Sequence, residues 1–269
     1  MNIDPAEDLL VGELPEEIGE AASDGDFERV KSWLAGGSAS APRSINASDQ
    51  TEWSLLHWTL VSELTPEHVE FARYLLSRGA RVNAAAKRWD GSTALHFACG
   101  SIGRDEATAA ISMLVANGAT VNMETSSGLT PLFLIDDLSE STIDVVTVLL
   151  RAGASLDCQD RRPYHNGLIR SFEEHLNSIN GNDPYGENVR HVRAIKELVA
   201  SVRAAGSWKA HCRLAHKQVL RLRSLVAHGR SKLRPRGRDA RQERALEFVL
   251  RQGANGIVWN ILSFWRETA

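Results

Sequence analysis

The sequence predicts an all-α fold, a solenoid of stacked helix-turn-helix repeats followed by a C-terminal helical extension. Three observations predict it. A short pattern of a hydroxyl residue, a leucine and a histidine recurs in the first half of the chain. Each copy leads to a segment whose apolar residues recur at helical spacing, and each such segment ends at a glycine. Because one such unit cannot bury its apolar face alone, three copies in one order indicate units that stack on each other.

The composition is that of a folded protein without membrane spans. Of the 269 residues, 43% are hydrophobic and 24% are charged, and no run of 18 apolar residues occurs. The first residues have neither a basic start nor an apolar core, so we expect no secretory signal. The cysteines Cys99, Cys158 and Cys212 are scattered, which disfavours a disulfide framework or a zinc cluster. We therefore expect reduced thiols and an intracellular protein, in the cytoplasm or the nucleus.

Each copy of the pattern has a mechanical interpretation. A hydroxyl residue at the start of a helix can cap its free N–H groups, and a proline just inside the start costs no hydrogen bond. A glycine after the second helix takes a left-handed conformation at low cost. Asp90-Gly91 and Ser127-Gly128 are turn signals that lead into the next unit. The copies run Ser54–His57 to Gly79–Asn83, Thr93–His96 to Gly118–Asn122, and Thr130–Phe133 to Gly153–Asp157.

These motifs resemble the ankyrin repeat, with its T-x-L-H start, its L-L-x-x-G-A-x-V-N finish and its D-G turn. The spacing is looser than the family period of about 33 residues, since Leu56 and Leu95 lie 39 residues apart and Leu95 and Leu132 lie 37 apart. We expect the extra residues in solvent-facing loops between the two helices of each unit. The positions that match the family signature are Ser54, Leu56, His57, Gly79, Asn83, Thr93, Leu95, His96, Gly118, Asn122, Thr130, Pro131, Leu132 and Gly153.

Further units are predicted on both sides of these copies. Before them, Pro15–Ala22 and Phe27–Leu34 have the spacing of two helices, and their acidic surface suits a capping repeat. After Asp157 the pattern decays. Arg161–Ser171 occupies the place of a further start without matching it, and Asn188–Ala204 is again amphipathic, so we predict a degenerate fifth repeat. The expected organisation is an acidic tail over residues 1–12, a solenoid over 13–205 with about four repeats to 160 and the fifth after it, and a basic helical extension over 206–269.

The charge is polarised along the chain. Residues 1–30 contain ten acids and one base, whereas residues 203–251 contain fourteen bases and three acids. Three interpretations of the basic segment 230–244 stay open: a solvated linker, a nuclear-import-like signal, or a contact with nucleic acid or an acidic partner. Aromatic residues do not interleave with these bases, which disfavours nucleic-acid binding by base stacking. The aromatic segment Ile257–Glu267 is either a cap on the solenoid or, by a faint similarity to the opening helix of F-box segments, a recruitment motif.

The sequence carries few signs of catalysis. His57 and His96 occupy the same place in successive repeats, and the resemblance implies that they hydrogen-bond across the turn. The resemblance also implies that Asn83 and Asn122 bond the turn backbone, with hydroxylation of these asparagines as a further hypothesis. No phosphate-binding loop or hydrolase motif occurs, and Asp136-Asp137 is interpreted as part of a solvated loop. We expect no enzyme, no cofactor and no metal.

The resemblance implies a non-enzymatic protein–protein interaction module that binds through its projecting turns. We expect a monomer that binds one or more proteins, with no membrane contact. Trp53 and Trp89 either anchor a partner or pack on the neighbouring turn, while Trp58, Phe97 and Leu134 are expected to be half-buried. Two alternatives remain, a ubiquitin-ligase substrate adaptor that uses the aromatic C-terminal helix and an unrecognised enzyme in residues 160–269. The candidate partner-binding residues are Glu52, Trp53, Arg88, Trp89, Ser92, Ser126, Ser127 and Leu129.

Overall fold

The computed structural model describes residues 12–37, 43–61, 64–101, 105–136, 141–158, 171–180, 189–214 and 217. The chain divides into two compact units, residues 1–199 and residues 200–269. The first unit is built from helix pairs and one two-stranded sheet, which confirms the predicted all-α repeat fold. In the second unit, residues 208–214 are helical. No helix among the described residues is long and apolar enough to cross a membrane.

The described residues form five successive pairs of helical segments. In four of the pairs both members are α-helices, and in the remaining pair a 3₁₀ helix precedes an α-helix. The pairs are α1 (Glu16–Ser23) with α2 (Phe27–Ala35), α3 (Leu55–Val61) with α4 (Pro66–Ser77), α5 (Ala94–Gly100) with α6 (Asp105–Ala116), the 3₁₀ helix Pro131–Leu134 with α7 (Thr142–Arg151), and α8 (Phe172–Asn180) with α9 (Val189–Ala205).

The pairs stack in two rows. The first members contact in chain order, from α1 through α3 and α5 to the 3₁₀ helix and α8. Among the second members, α4 contacts α6 and α6 contacts α7, while Phe27 of α2 stacks on Phe71 of α4 with 4.4 Å between ring centroids. The signature residues Leu56, Leu95 and Leu132 are buried between these rows. Each buried leucine stabilises the fold by about 2 kcal/mol, so the stacked interfaces hold the repeats together.

The signature histidines join each unit to the next, as the resemblance implies. The Ser54 N–H donates to His57 Nδ1 over 3.0 Å, and His57 Nε2 lies 3.0 Å from the Ala84 carbonyl oxygen. His96 repeats this arrangement with the Thr93 N–H and the Leu129 carbonyl. Because Nδ1 accepts a backbone N–H, Nε2 must carry the proton and donate to the carbonyl, which fixes a neutral ring. Burial accordingly lowers the pKa of His57 to about 4 and lowers the pKa of His96.

Two further histidines, which the sequence analysis did not identify, also bond a backbone carbonyl of a neighbouring repeat. His68 Nδ1 lies 2.8 Å from the Thr65 hydroxyl, and its Nε2 lies 3.1 Å from the Ser23 carbonyl oxygen. His175 Nε2 lies 2.8 Å from the Ile135 carbonyl oxygen. The signal for His68 was present, because Thr65 precedes it by three residues just as Thr93 precedes His96. His175 lacks this signal, since its cap residue Ser171 lies four residues before it.

In the third copy Phe133 takes the place of the histidine. Its ring is buried against Phe172 of α8, with 5.7 Å between centroids. The buried Thr130 hydroxyl therefore lacks a histidine partner and has no hydrogen bond to any described residue. Consistent with the loss of this bond, the segment forms one turn of 3₁₀ helix and not an α-helix. This repeat is therefore less regular than the two before it.

The asparagines form a ladder that links consecutive turns. Asn83 Nδ2 donates to the Gly118 carbonyl over 3.0 Å, and its Oδ1 accepts from the Thr120 N–H over 2.7 Å. Asn122 bonds Gly153 and Ser155 in the same way. Asn46, which was missed, bonds Gly79 and Arg81 in the same way. Asn46 thereby ties the chain after the first helix pair to the turn after α4.

The closing glycines adopt the predicted conformation. Gly79, Gly118 and Gly153 have φ of 90°, 86° and 92°. At Gly79, the glycine N–H bonds the Leu76 carbonyl and the next N–H, of Ala80, bonds the Leu75 carbonyl. This pair of bonds satisfies two carbonyls that the end of the helix leaves free, and the motif needs the left-handed residue that glycine supplies.

The later part of the chain differs from the prediction. The first helix of the fifth repeat is α8, which begins at Phe172, directly after the segment Arg161–Ser171 in which the pattern showed no matching start. Its register was missed because Ser171-Phe172-Glu173-Glu174-His175 lacks the leucine of the signature. The acidic tail up to Val11, the basic segment 230–244 and the aromatic segment Ile257–Glu267 lie outside the described residues.

Candidate protein-binding groove at the projecting turns

The projecting turns lie in a row and are joined by hydrogen bonds. Strands β1 (Ala85–Ala86) and β2 (Ser92–Thr93) pair antiparallel and carry Trp89 on the hairpin between them. Asp90 and Gly91 have φ of 58° and 71°, as the turn signal predicts. A hydrogen bond joins the preceding turn to this hairpin, in which the Glu52 carboxylate accepts the Lys87 N–H over 3.0 Å. A second hydrogen bond joins the hairpin to the following turn, in which the Ser126 N–H donates to the Asp90 carbonyl over 2.7 Å.

The predicted contact residues divide into exposed and buried groups. Arg88, Trp89 and Ser126 are exposed, and Glu52 and Ser127 are partly exposed. The three residues of the second group are buried, with exposed fractions of 9% for Trp53, 7% for Ser92 and 3% for Leu129.

Of the two alternatives for Trp53, the structure has the one in which it packs on its neighbours, and Ser92 and Leu129, which were predicted as contact residues, are buried as well. Each directly precedes a signature hydroxyl residue, where the chain turns into the core. At this position the backbone is tied down, since the Thr125 N–H bonds the Leu129 carbonyl and the Asp49 N–H bonds the Trp53 carbonyl. Trp58, Phe97 and Leu134 are half-buried, as predicted.

A groove of about 320 Å³ opens beside the hairpin. Three tryptophans from two neighbouring units line it, namely Trp53, Trp58 and Trp89. The other lining residues come from the start of α1 with the segment before it, and from the turn before α3, and they are Glu13, Leu14, Pro15, Glu16, Asp49, Gln50 and Thr51. The groove therefore combines a large aromatic surface with the acidic N-terminal end of the solenoid.

Trp53 is the most deeply buried indole of the groove. Its ring centroid lies 4.9 Å from that of Trp58, 5.5 Å from that of Trp89 and 4.9 Å from that of Phe97. The planes of Trp58 and Trp89 are inclined to it by 64° and 86°. Such edge-to-face contacts are the favourable geometry for aromatic pairs, so the cluster is held in place. The Trp53 indole N–H is buried and has no acceptor among the described residues.

Asp49 positions two of the tryptophans. Its Oδ2 accepts the Trp58 indole N–H over 2.9 Å, and its Oδ1 accepts the Trp53 backbone N–H over 2.9 Å. The same Oδ1 accepts from the N–H and the hydroxyl of Thr51, which closes the turn. Sequence reasoning missed Asp49, although aspartate is a common turn residue because its side chain can bond the backbone two residues further on.

Gly19 of α1 makes room for Trp58. A Cβ at this position would lie 2.6 Å from Trp58 Nε1 and 2.7 Å from Cε2. Because neighbouring atoms of the indole are nearly equidistant from that point, one face of the ring lies against the helix backbone at Gly19. Trp58 is thus fixed on one face by α1 and at its N–H by Asp49.

The charge of the groove is one-sided. Glu13, Glu16 and Asp49 line it, and no basic side chain is among the described residues that do so. Lys87 and Arg88 neighbour Trp89 in the chain but do not line the groove. In addition, the described residues contain no group of three or more His, Cys, Asp or Glu side chains that could hold a metal ion. The site offers aromatic faces and carboxylates and is suited to binding.

Comparison with known proteins identifies the repeats. Residues 18–123 match the family model described as ankyrin repeats (3 copies). The match begins in α1 and ends just after Asn122, so it covers Asp49 and the three tryptophans of the groove but not the lining residues from Glu13 to Glu16. No curated protein matches the chain significantly.

Proposed function

We propose that this chain, which contains ankyrin repeats and with them a protein-interaction module, is a scaffold that binds another protein through the tryptophan groove and has no chemistry of its own. The exposure of Trp89 is the observation that carries the proposal. Its side chain is 57% exposed on a hairpin that both neighbouring turns hold in place. An indole that is fixed in water gains apolar burial when a partner covers it, and tryptophan is the residue type most often found as an interface anchor.

The proposal of a non-enzymatic role is supported by how the reactive side chains are used. Both ring nitrogens of His57 and His96 are engaged in hydrogen bonds within the fold. Burial raises the pKa of the Cys99 thiol, so a thiolate nucleophile is disfavoured there. The buried thiol of Cys99 forms no disulfide, which supports a reducing compartment, and we propose the cytoplasm or the nucleus.

The two other functions depend on different parts of the chain. A ubiquitin-ligase adaptor would use Ile257–Glu267, which lies outside the described residues. An enzyme within residues 160–269 would need a cleft with converging polar groups in that part of the chain. No observation on the described residues favours either function, so the proposal rests on the groove alone.

The test is affinity capture from a native lysate with three immobilised proteins, the full chain, its Trp89→Ala variant and its Trp33→Ala variant. Trp33 is a half-buried tryptophan that does not line the groove, so its variant controls for the loss of an indole elsewhere. We expect proteins that the full chain and Trp33→Ala retain and Trp89→Ala loses. Equal capture by all three folded proteins would show that the groove is not the binding surface. A chain ending at Arg251 that lost ubiquitin-ligase components alone would favour the adaptor function.

A further inference from the structure

We infer that the tryptophan groove binds a lysine or arginine side chain of the partner protein. The inference rests on the proposed function and adds the chemistry of recognition. It is carried by the combination of three indoles with three carboxylates around one groove of about 320 Å³. This volume is large enough for a long side chain and the peptide backbone next to it.

The indoles supply the attraction for a cation. The face of an aromatic ring attracts a positive charge, and tryptophan does so most strongly, with about 0.5–2 kcal/mol for each contact depending on exposure. Trp53 is inclined by 64° to Trp58 and by 86° to Trp89. Because all three rings line the same groove, a cation bound there can approach more than one of them.

The rim supplies the charge. Glu13 and Glu16 are exposed where the chain enters α1, and Asp49 lies beside Trp58. The described sequence from Gly12 to Glu28 contains no lysine or arginine, so this wall of the groove is uniformly acidic. A carboxylate beside a cation in a partly dry groove strengthens binding and orients the partner on approach.

Other occupants fit less well. An aliphatic or proline-rich segment would use the indoles but gain nothing from the carboxylates, and an acidic segment would be repelled by them. The buried Trp53 N–H without an acceptor among the described residues also favours a ligand that carries a hydrogen-bond acceptor. A peptide carbonyl next to a basic side chain provides one.

The test uses two short peptides that differ at one side chain, with a central lysine flanked by glycines in one and norleucine in place of the lysine in the other. Norleucine keeps most of the aliphatic chain and removes the charge. Each peptide is titrated into the full-length ¹⁵N-labelled protein while the indole N–H signals are followed by NMR. We expect the lysine peptide to shift the signals of Trp53, Trp58 and Trp89, and to bind about fivefold or more tightly than the norleucine peptide.

Substitutions in the protein test the carboxylates and the indoles separately. The double variant Glu13→Gln, Glu16→Gln should lower the affinity for the lysine peptide and leave the affinity for the norleucine peptide unchanged. Trp33→Ala should change neither affinity. Trp89→Ala should strongly lower the affinity for the lysine peptide. Trp89→Phe should bind this peptide more tightly than Trp89→Ala, because it keeps an aromatic ring face.

Two results would overturn the inference. Equal affinity for both peptides would mean that the groove binds apolar side chains, and the proposed interaction function would then stand with a different partner chemistry. The absence of any indole shift at millimolar peptide would mean that the groove binds neither side chain. The capture experiment decides the proposed function independently, since it does not depend on the chemistry of the partner.

Discussion

Acidification should destabilise the repeats through His57. Burial holds its pKa at about 4 in the folded protein, against 6.5 for an unperturbed histidine. Between these two values the unfolded chain binds a proton at this residue and the folded chain does not. The stability that the neutral ring provides is therefore fully present above pH 6.5 and is lost progressively as the pH falls towards 4.

The size of this loss follows from the difference between the two pKa values. It amounts to about 3 kcal/mol once the pH lies below both values, and to about 2 kcal/mol at pH 5. A loss of 2 kcal/mol is a large fraction of the stability of a small domain, which is typically about 5–15 kcal/mol. His96 adds to the loss in the same direction, because burial lowers its pKa as well.

The assay is urea-induced unfolding of the wild type and of His57→Gln, at a series of pH values from 7.5 to 5. The variant should be less stable than the wild type at pH 7, because it disturbs the bonds to Ser54 and Ala84. Its stability should also fall less on acidification, by about 2 kcal/mol between pH 7 and pH 5. Carboxylates titrate alike in both proteins and cancel in this comparison. Equal slopes in the two proteins would refute the reasoning, since they would mean that the folded repeat accepts the proton on His57.

The remaining predictions concern single substitutions. Gly79→Ala should lower the free energy of unfolding in urea by about 1 kcal/mol. The new Cβ would meet no atom within 4 Å, so the loss comes only from the backbone strain at a φ of 90°. Asn83→Ala should lower the thermal midpoint and cost about 1–2 kcal/mol, since it removes two hydrogen bonds between turns. Gly19→Ala should displace the Trp58 indole, and its tryptophan fluorescence should differ from that of the wild type; an unchanged spectrum and unchanged peptide affinity would contradict the packing described. Phe133→His, which restores the family signature, should nevertheless destabilise the chain by about 2 kcal/mol in urea unfolding, because it places a smaller, polar ring against Phe172.

The residues that fix the backbone could be predicted from the sequence. Gly79, Gly118 and Gly153 end helices in the conformation that glycine favours, and the histidines bond across the turns as the family resemblance implies. These residues act locally, so a short motif contains most of the information that they carry. Asn46 makes the same bonds as Asn83 but was missed, because the stretch after Gly37 reads as a loop rich in small residues.

The direction of the turn side chains could not be predicted in this way. Ser92 and Leu129 were predicted to contact a partner and Trp53 was left with two alternatives, yet all three side chains are buried. Their burial depends on neighbouring turns, such as the bond from the Ser126 N–H to the Asp90 carbonyl. Such contacts join residues about 35 positions apart, and no local pattern reports which side of a turn will be covered by the next one.

The groove arises at the positions that the repeat pattern leaves free. The pattern requires a hydroxyl residue, a leucine, a histidine, a glycine and an asparagine, and it constrains neither Gly19 nor Asp49 nor the tryptophans. Yet Gly19 opens the space for Trp58, and Asp49 holds both Trp58 and Trp53 in position. A space, an aromatic ring and its hydrogen-bond acceptor on three separate segments have to agree for this surface to form. Because the repeat pattern does not specify this agreement, the shape of the groove could not be predicted from the motif alone.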